Sequence, residues 1–554
     1  MQYLIIFFAT LVSTIFLTPY IIALFNRIKI VDLPDGKRKL HSVPIPRMGG
    51  LLIFLIFLTS VFVFYGDINA IKYYLFGTII IFALGAYDDL LGTGWLLKFI
   101  YQTIAAILLV LYLLPKFSSI TLFTIEFSNI PGIILLLFFI VGTINAFNLL
   151  DGLDGLVAGI SMLTFIVLFF ISLNLMDIFS LVILSSIAGC VMGFLKYNTF
   201  PAKIFLGDSG SFLLGFLVVS AVLNVSINNT TGILDLTFPV ILLAVPIADT
   251  VKVFFIRIVK GKHPFAADRT HIHHIVHSQN ITHATTVFII SIYSLLFAGC
   301  AIIYLFYSQV WGMALFGVMI FPLFFANKIL QFIIQREKLV VFGRAVNRFP
   351  QFLINYYKIV VLPLTGLLLL LFFLYLLIGE DGPIAEFLLP SFIIIGILLV
   401  FAFVNYRRNK IVTDSIVFFN ILIFFIINQT HIVLYEDILH IPVIGNLTYH
   451  LLVVSFLLPT VGFFMVFKDR IIQKESSFFT AFDLIIILII ILLSITANLI
   501  PVSKSYLIAD VIFRSFLIYA FYKVVISIQS SFRFYLFAGS FLFVILSQII
   551  FLMH

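Results

Sequence analysis

Long apolar runs separated by short polar loops fill the chain. They cover roughly residues 3–24, 48–65, 73–87, 96–115, 131–149, 156–174, 178–195, 209–226, 236–256, 284–306 and 310–333. Further runs follow at roughly 357–378, 386–403, 412–430, 450–467, 481–497, 505–527 and 533–552. Most approach the length that a helix needs to cross about 30 Å of hydrocarbon. Several contain Gly or Pro, which a spanning helix tolerates where protein or water covers the freed backbone groups. The pattern predicts an all-α polytopic membrane protein with about eighteen spans. Residues 3–24 have neither a basic leader nor a small-residue cleavage site, so they are expected to be a first, retained helix.

The loops imply an orientation. Arg27, Lys29, Lys37, Arg38, Lys39 and Arg47 follow the first run. Arg257, Lys260, Lys262 and Arg269 follow the ninth, and Arg336, Lys338, Arg344 and Arg348 the eleventh. Alternating spans put these three loops on one side. The loops at roughly 66–72, 116–130 and 227–235 fall on the other side and are poor in Lys and Arg. Basic loops collect on the cytoplasmic side, so the N-terminus is expected outside, in a multi-pass protein of the inner or plasma membrane.

A polar stretch at roughly 336–356 reads as a cytoplasmic linker. It separates a core, residues 1–335, from an additional C-terminal bundle of about seven spans, residues 357–554. Continued alternation places Arg407, Arg408 and Lys410, then Lys468, Asp469 and Arg470, on the cytoplasmic side. The bundle has a readable topology but no readable chemistry, and the chain shows no fixed-period repeat.

Composition sharpens the class. The chain is 63% hydrophobic and 10% charged, against roughly 45–50% and 25% in soluble chains. So few charges cannot cover a water-facing surface, and lipid must be the outer solvent. The net charge of +8 sits in orienting loops rather than in a stripe interleaved with aromatics, so no nucleic-acid partner is expected. Cys190 and Cys300 lie in apolar runs and imply neither a disulfide framework nor a thiolate metal site.

The remaining polar residues form five clusters. Asp88 and Asp89 end the third run. They are either interfacial carboxylates or a repelling pair relieved by a cation or a shared proton. Asn145, Asn148, Asp151 and Asp154 recur every third position on a slowly winding helical stripe. That stripe suits a polar network between helices, or a ligand bearing hydroxyls and phosphates. Phe205-Leu-Gly-Asp208-Ser-Gly-Ser211 opens the eighth run. Asp208 and Ser209 there are candidate helix caps. Alternatively, the helix start offers free N–H groups to phosphate while Asp208 holds a hard cation.

Lys262-His263-Pro-Phe-Ala-Ala-Asp268-Arg269-Thr-His271-Ile-His273-His274 follows the ninth run. Zinc is one reading of its close histidines, although no HExxH spacing or cysteine pair accompanies them. A merely basic loop is another, and diphosphate binding by Arg269 a third. Asp249 lies just upstream. The fifth cluster, Asp32 to His41 with Arg47-Met-Gly-Gly, is an orientation signal or a closure over an anionic substrate by Lys39, His41 and Arg47. Charge bias alone puts all five on the cytoplasmic face.

Taken together and in order, these motifs resemble the polyprenyl-phosphate N-acetylhexosamine-1-phosphate transferases, glycosyltransferase family 4, over roughly residues 1–335. The Asp268-Arg269-x-His271-Ile-His273-His274 loop resembles the branch that uses UDP-N-acetylglucosamine or a related UDP-HexNAc. Gly92 stands where the muramoyl-pentapeptide branch continues its acidic pattern, which argues against that donor. The resemblance implies a transferase core of ten or eleven spans with a cytoplasmic catalytic face. It implies transfer of HexNAc-1-phosphate, GlcNAc foremost and GalNAc as the alternative, from a UDP-sugar to undecaprenyl or another polyprenyl phosphate. UMP would be released, and synthesis of an envelope glycan such as an O-antigen would begin.

It further implies Mg2+, with Mn2+ as a substitute, held by Asp208, Asp89 and Asp151. Asp88, Asp89, Asp208 and Asp151 would act in catalysis. Lys39, His41, Arg47, Asn145, Asn148, Asp154, Asp268, Arg269, His271, His273 and His274 would bind substrate. Expected partners are membrane lipids, a second copy of the chain, or other envelope-glycan enzymes. The rival reading is a secondary transporter that uses its interfacial aspartates.

Overall fold

The computed structural model describes residues 2–33, 43–127, 129–259, 261, 283–335, 351–361 and 363–367. It also describes positions 417, 420, 421, 518, 519, 521–526, 536, 538–540 and 542. The chain divides into two compact units, Met1–Gln335 with Phe479–Val502, and Arg336–Phe478 with Ser503–His554.

The first unit is helical. Its helices are α1 (Gln2–Arg27), α2 (Gly50–Phe64), α3 (Lys72–Leu91), α4 (Trp95–Leu113), α5 (Asn129–Leu150) and α6 (Leu156–Leu175). They continue as α7 (Ile178–Asn198), α8 (Gly207–Val225), α9 (Thr237–Leu242), α10 (Ala244–Val259), α11 (His283–Phe306) and α12 (Gln309–Gln335). Among the described residues, eight helices are long and apolar enough to cross a membrane. The protein is therefore an all-α, multi-pass membrane protein. Helices α6, α7 and α8 are buried along most of their length and form the centre, while α1, α3, α4 and α5 present broad faces outward. In the second unit, α13 (Gln351–Tyr356) leads into a turn of π-helix at Tyr357–Val361.

Two features depart from the hydropathy pattern. The ninth run, expected as one span, is broken into α9 and α10 at Leu243. Pro246 lies four residues after Leu242, where its ring opposes the carbonyl that a continuous helix would use, and α9 ends at that residue. The second departure is a four-stranded sheet formed by two of the loops between the runs. Its strands are β3 (Ser119–Leu122), β4 (Ile125–Phe127), β5 (Ile227–Asn228) and β6 (Ile233–Asp235), in the order β4-β3-β6-β5. The β3–β4 hairpin turns on Phe123 and Thr124, both at positive φ. That is the conformation of a tight hairpin turn, built here without the Asn-Gly or Asp-Gly pair that marks one in sequence. A short ladder, β1 (Val31–Asp32) with β2 (Ile45–Pro46), closes the loop after α1.

Helices α2 and α3 converge on the start of α8. A Cβ on Gly85 of α3 would lie 2.5 Å from the Asp208 carbonyl oxygen and the Ser209 Cα. One on Gly50 of α2 would lie 2.3 Å from the Gly210 nitrogen. Backbone atoms cannot swing aside as a flexible side chain can. Gly85→Ala is therefore expected to destabilise the protein by about 1–3 kcal/mol through overpacking. A lowered thermal midpoint of the detergent-solubilised protein would register it, and an unchanged midpoint would mean that α3 shifts freely.

Candidate functional site

The site grows from four helix ends on the side away from the four-stranded sheet. These are the last turn of α3, the first turns of α4 and α8, and the last turn of α5. Adjacent positions on a helix point about 100° apart, so Asp88 and Asp89 at the end of α3 face different neighbours.

Asp89 faces α8. Its Oδ1 accepts the Asp208 backbone N–H at 3.0 Å and its Oδ2 accepts that of Ser209 at 3.0 Å. It thus caps α8 from another helix, and the charge of Arg47 helps to offset its own. Gly207, at φ +74°, makes the approach possible, since a Cβ there would sit 2.6 Å from Asp89 Oδ2.

Asp88 faces α4. Its Oδ1 accepts both the backbone N–H and the hydroxyl of Thr93 at 2.6 Å, and its Oδ2 pairs with the Lys98 ammonium. The Asp88 side chain is only 5% exposed.

Asp208 stands across from Lys98, with 3.3 Å between Oδ2 and Nζ. Its Oδ1 accepts from Asn148 Nδ2 at 2.6 Å, and the same Nδ2 lies 2.9 Å from Ser211 Oγ. The Asp208 side chain is 35% exposed, much more open than Asp88.

Asp151 follows α5 and is open to solvent. Desolvation, then the charges of Asp208, Asp89 and Asp154, raises its carboxyl well above the usual carboxylate range. A carboxyl raised on folding is disfavoured in its charged form. Its protonation favours the folded state at low pH, and a destabilising term grows as pH rises beyond the ordinary carboxylate pKa. Asp151→Asn is accordingly expected to raise the thermal midpoint at neutral pH without divalent cation, and to flatten its pH dependence. A midpoint that falls at neutral pH would contradict this placement.

Asp154 ties loops together. Its Oδ2 accepts the Ala202 N–H at 3.0 Å, and its own N–H donates to His283 Nε2 at 3.1 Å. His283 stacks on Phe200 at 4.6 Å, and Asn198 Oδ1 accepts the Gly155 N–H at 3.1 Å. The expected substrate contact thus anchors the α5–α6 turn to the α7–α8 loop. Asn145 lies one turn before Asn148 and is half-buried. Arg47 lies in a segment docked on that same α7–α8 loop, with the Gly49 and Gly50 N–H groups donating to Phe205 and Leu206. The Arg47 Nε is buried without a hydrogen-bond partner. Asp249 is buried on α10. Lys39, His41, Asp268, Arg269, His271, His273 and His274, including the histidines of the zinc reading, lie outside the described residues.

Two readings of the α8 start change. Asp208 and Ser209 do not cap α8 with their side chains; the cap residue is Leu206, with no side-chain bond. Nor are the Asp208 and Ser209 N–H groups free for phosphate, because the Asp89 carboxylate already occupies them. Lys98, Thr93, Asn198 and His283 lie outside the five polar clusters that the sequence marks out. Lys98 had a signal, a cation one turn inside an apolar run; the others are polar residues of ordinary kind.

Among the described residues, no three His, Cys, Asp or Glu side chains converge as a closed metal cage. Mg2+ needs less than that, since it commonly takes one or two carboxylates and completes its shell with water and phosphate oxygens. Asp208 and Asp151 fit such an open site, being carboxylates that solvent reaches and whose charges interact. Asp89, also expected as a ligand, is 5% exposed and has both oxygens engaged.

Residues 71–226 match the family model described as glycosyl transferase family 4. A protein of Bacillus subtilis (strain 168), named probable undecaprenyl-phosphate N-acetylglucosaminyl 1-phosphate transferase, is 33% identical over 305 residues, 54% of this chain and 83% of its own. A Thermotoga maritima protein, named undecaprenyl-phosphate alpha-N-acetylglucosaminyl 1-phosphate transferase, is 35% identical over 289 residues, 52% of this chain and 86% of its own. An Escherichia coli (strain K12) protein with the latter name is 28% identical over 286 residues, 50% of this chain and 77% of its own.

Proposed function

This chain belongs to glycosyl transferase family 4, and from that premise we propose that it moves HexNAc-1-phosphate from a UDP-sugar onto polyprenyl phosphate and releases UMP. The observation that carries the reading is the Asp88–Lys98–Asp208–Asn148 constellation at one end of the helix bundle. A donor dissolved in water and an acceptor anchored in lipid can meet at such an end. GlcNAc-1-phosphate is the proposed group, because the names of the three relatives specify it. The charge bias of the loops supports a cytoplasmic active site in the plasma or inner membrane. A transporter would be expected to gather its carboxylates near the middle of the bilayer, whereas these stand at helix ends.

In this reading a lipid phosphate oxygen attacks the sugar-linked phosphorus. The bond from that phosphorus to the bridging oxygen breaks, and the electron pair leaves with UMP. Phosphate monoesters lose their second proton near pH 6, so the acceptor needs no strong base at neutral pH. The difficulty is mutual repulsion between two anions, which fixed positive charge relieves. Lys98 supplies that charge, and Asp88 and Thr93 hold it in place. Asp208, fixed by Asn148, would hold Mg2+ or Mn2+ together with Asp151. The cation, when bound, withdraws charge from phosphate oxygens.

Mass measurement of the lipid product tests the proposal. Purified protein, polyprenyl phosphate and Mg2+ are incubated with a panel of UDP-HexNAc donors, among them UDP-GlcNAc and UDP-GalNAc. Polyprenyl diphosphate GlcNAc and an equal amount of UMP are expected. A product from UDP-GalNAc alone would move the donor assignment. Absence of any lipid diphosphate would remove the function.

A further inference from the structure

We infer that Asp89 is a positioning residue: from the end of α3 it caps α8 and so fixes where Asp208 stands. The inference rests on the transferase reading above. Both Asp89 oxygens are engaged at 3.0 Å, and the first of the two N–H groups they hold is that of Asp208 itself. The Asp208 backbone is therefore pinned from one side, while Asn148 holds its side chain from the other.

Small residues line the approach. Gly207 leaves room for the carboxylate, and Gly85, one turn earlier on α3, lets the two helices close up. The Asp89 charge is met by Arg47 and by the positive end of α8. At 5% exposure, Asp89 has little surface to offer a phosphate or a cation. A helix start of this kind would ordinarily attract an anion; here a carboxylate of the same chain takes that place.

The conservative variant separates positioning from ligation. Asn keeps the shape and one acceptor oxygen of Asp89 but not its charge, whereas Ala keeps neither acceptor. For Asp89→Ala in the full-length, detergent-solubilised protein, kcat is expected to fall about 100-fold through displacement of Asp208. Asp89→Asn is expected to recover to within about tenfold of wild type, in line with a partly retained cap. KM for both substrates and the Mg2+ concentration for half-activation should move less than about threefold in the Asn variant, because neither is bound by Asp89.

Amide exchange of residues 207–210 gives a readout independent of turnover. It should quicken in the Ala variant and stay near wild type in the Asn variant. Should the Ala protein fail to fold, the Asn variant alone decides by its kcat and Mg2+ requirement. An Asn variant with kcat more than about 100-fold down, or needing over about tenfold more Mg2+, would overturn the inference, since the charge itself would then be in use. If wild type transfers nothing, the transferase reading falls, and amide exchange still decides whether Asp89 is the cap.

Discussion

Asp208→Asn is expected to lower the turnover of HexNAc-1-phosphate transfer by about 100- to 1,000-fold while the protein remains folded. The substitution is nearly isosteric, and the amide oxygen can still accept from Asn148, which now lies 2.6 Å from Asp208 Oδ1. The capped N–H groups of α8 are untouched, because Asp89 provides that cap. The negative charge is what disappears. Lys98 loses one of its two carboxylate partners, and the open pair of Asp208 and Asp151 is reduced to one anionic ligand. A rate measured in detergent against Mg2+ concentration should show a lower ceiling and a raised requirement. The thermal midpoint should hold within a few degrees, as expected for a change of about 1 kcal/mol or less. Near-normal turnover would take Asp208 out of the catalytic role.

Lys98→Ala is expected to lower turnover by a comparable factor and, unlike Asp208→Asn, to destabilise the fold. Asp88 is 5% exposed and its Oδ2 has Lys98 as ion-pair partner. Removal of one member of a buried pair leaves an uncompensated charge, at a cost of about 3–5 kcal/mol for full burial. The Lys98 side chain is 27% exposed, so solvent screening reduces the expected cost to about 1–3 kcal/mol. Adding Asp88→Asn to Lys98→Ala should restore much of the stability, because the stranded charge is gone, but none of the turnover. That non-additivity is what a direct contact produces in a double-mutant cycle. Equal stability of Lys98→Ala and wild type would mean that the pair is not formed in solution, and equal turnover would leave the fixed positive charge without a task.

The motifs were legible as motifs because each is short and local. Tyr87-Asp88-Asp89, the Asn145–Asp154 series and Phe205–Ser211 stand out as polar interruptions in apolar sequence, where every ionisable group needs a reason. Their division of labour was not legible. Asp154 looked like the next member of the series that begins at Asn145, yet it anchors the α7–α8 loop through Ala202. The series continues past the end of α5, where helical spacing no longer governs direction. The break between α9 and α10 could have been anticipated from Pro246, but the hairpin at Phe123-Thr124 could not, because no residue there advertises positive φ.

The sequence by itself determined that this is a helical membrane protein and marked out its polar motifs, because run length and polar interruption are properties of neighbouring residues. The tertiary structure alone decided which carboxylate does what. Asp88 and Asp89 are chemically identical neighbours, but one helical step turns the first toward Lys98 on α4 and the second toward the backbone of α8. Asp208 and Asp151 are left facing solvent, and only the packing of four helix ends sets that difference.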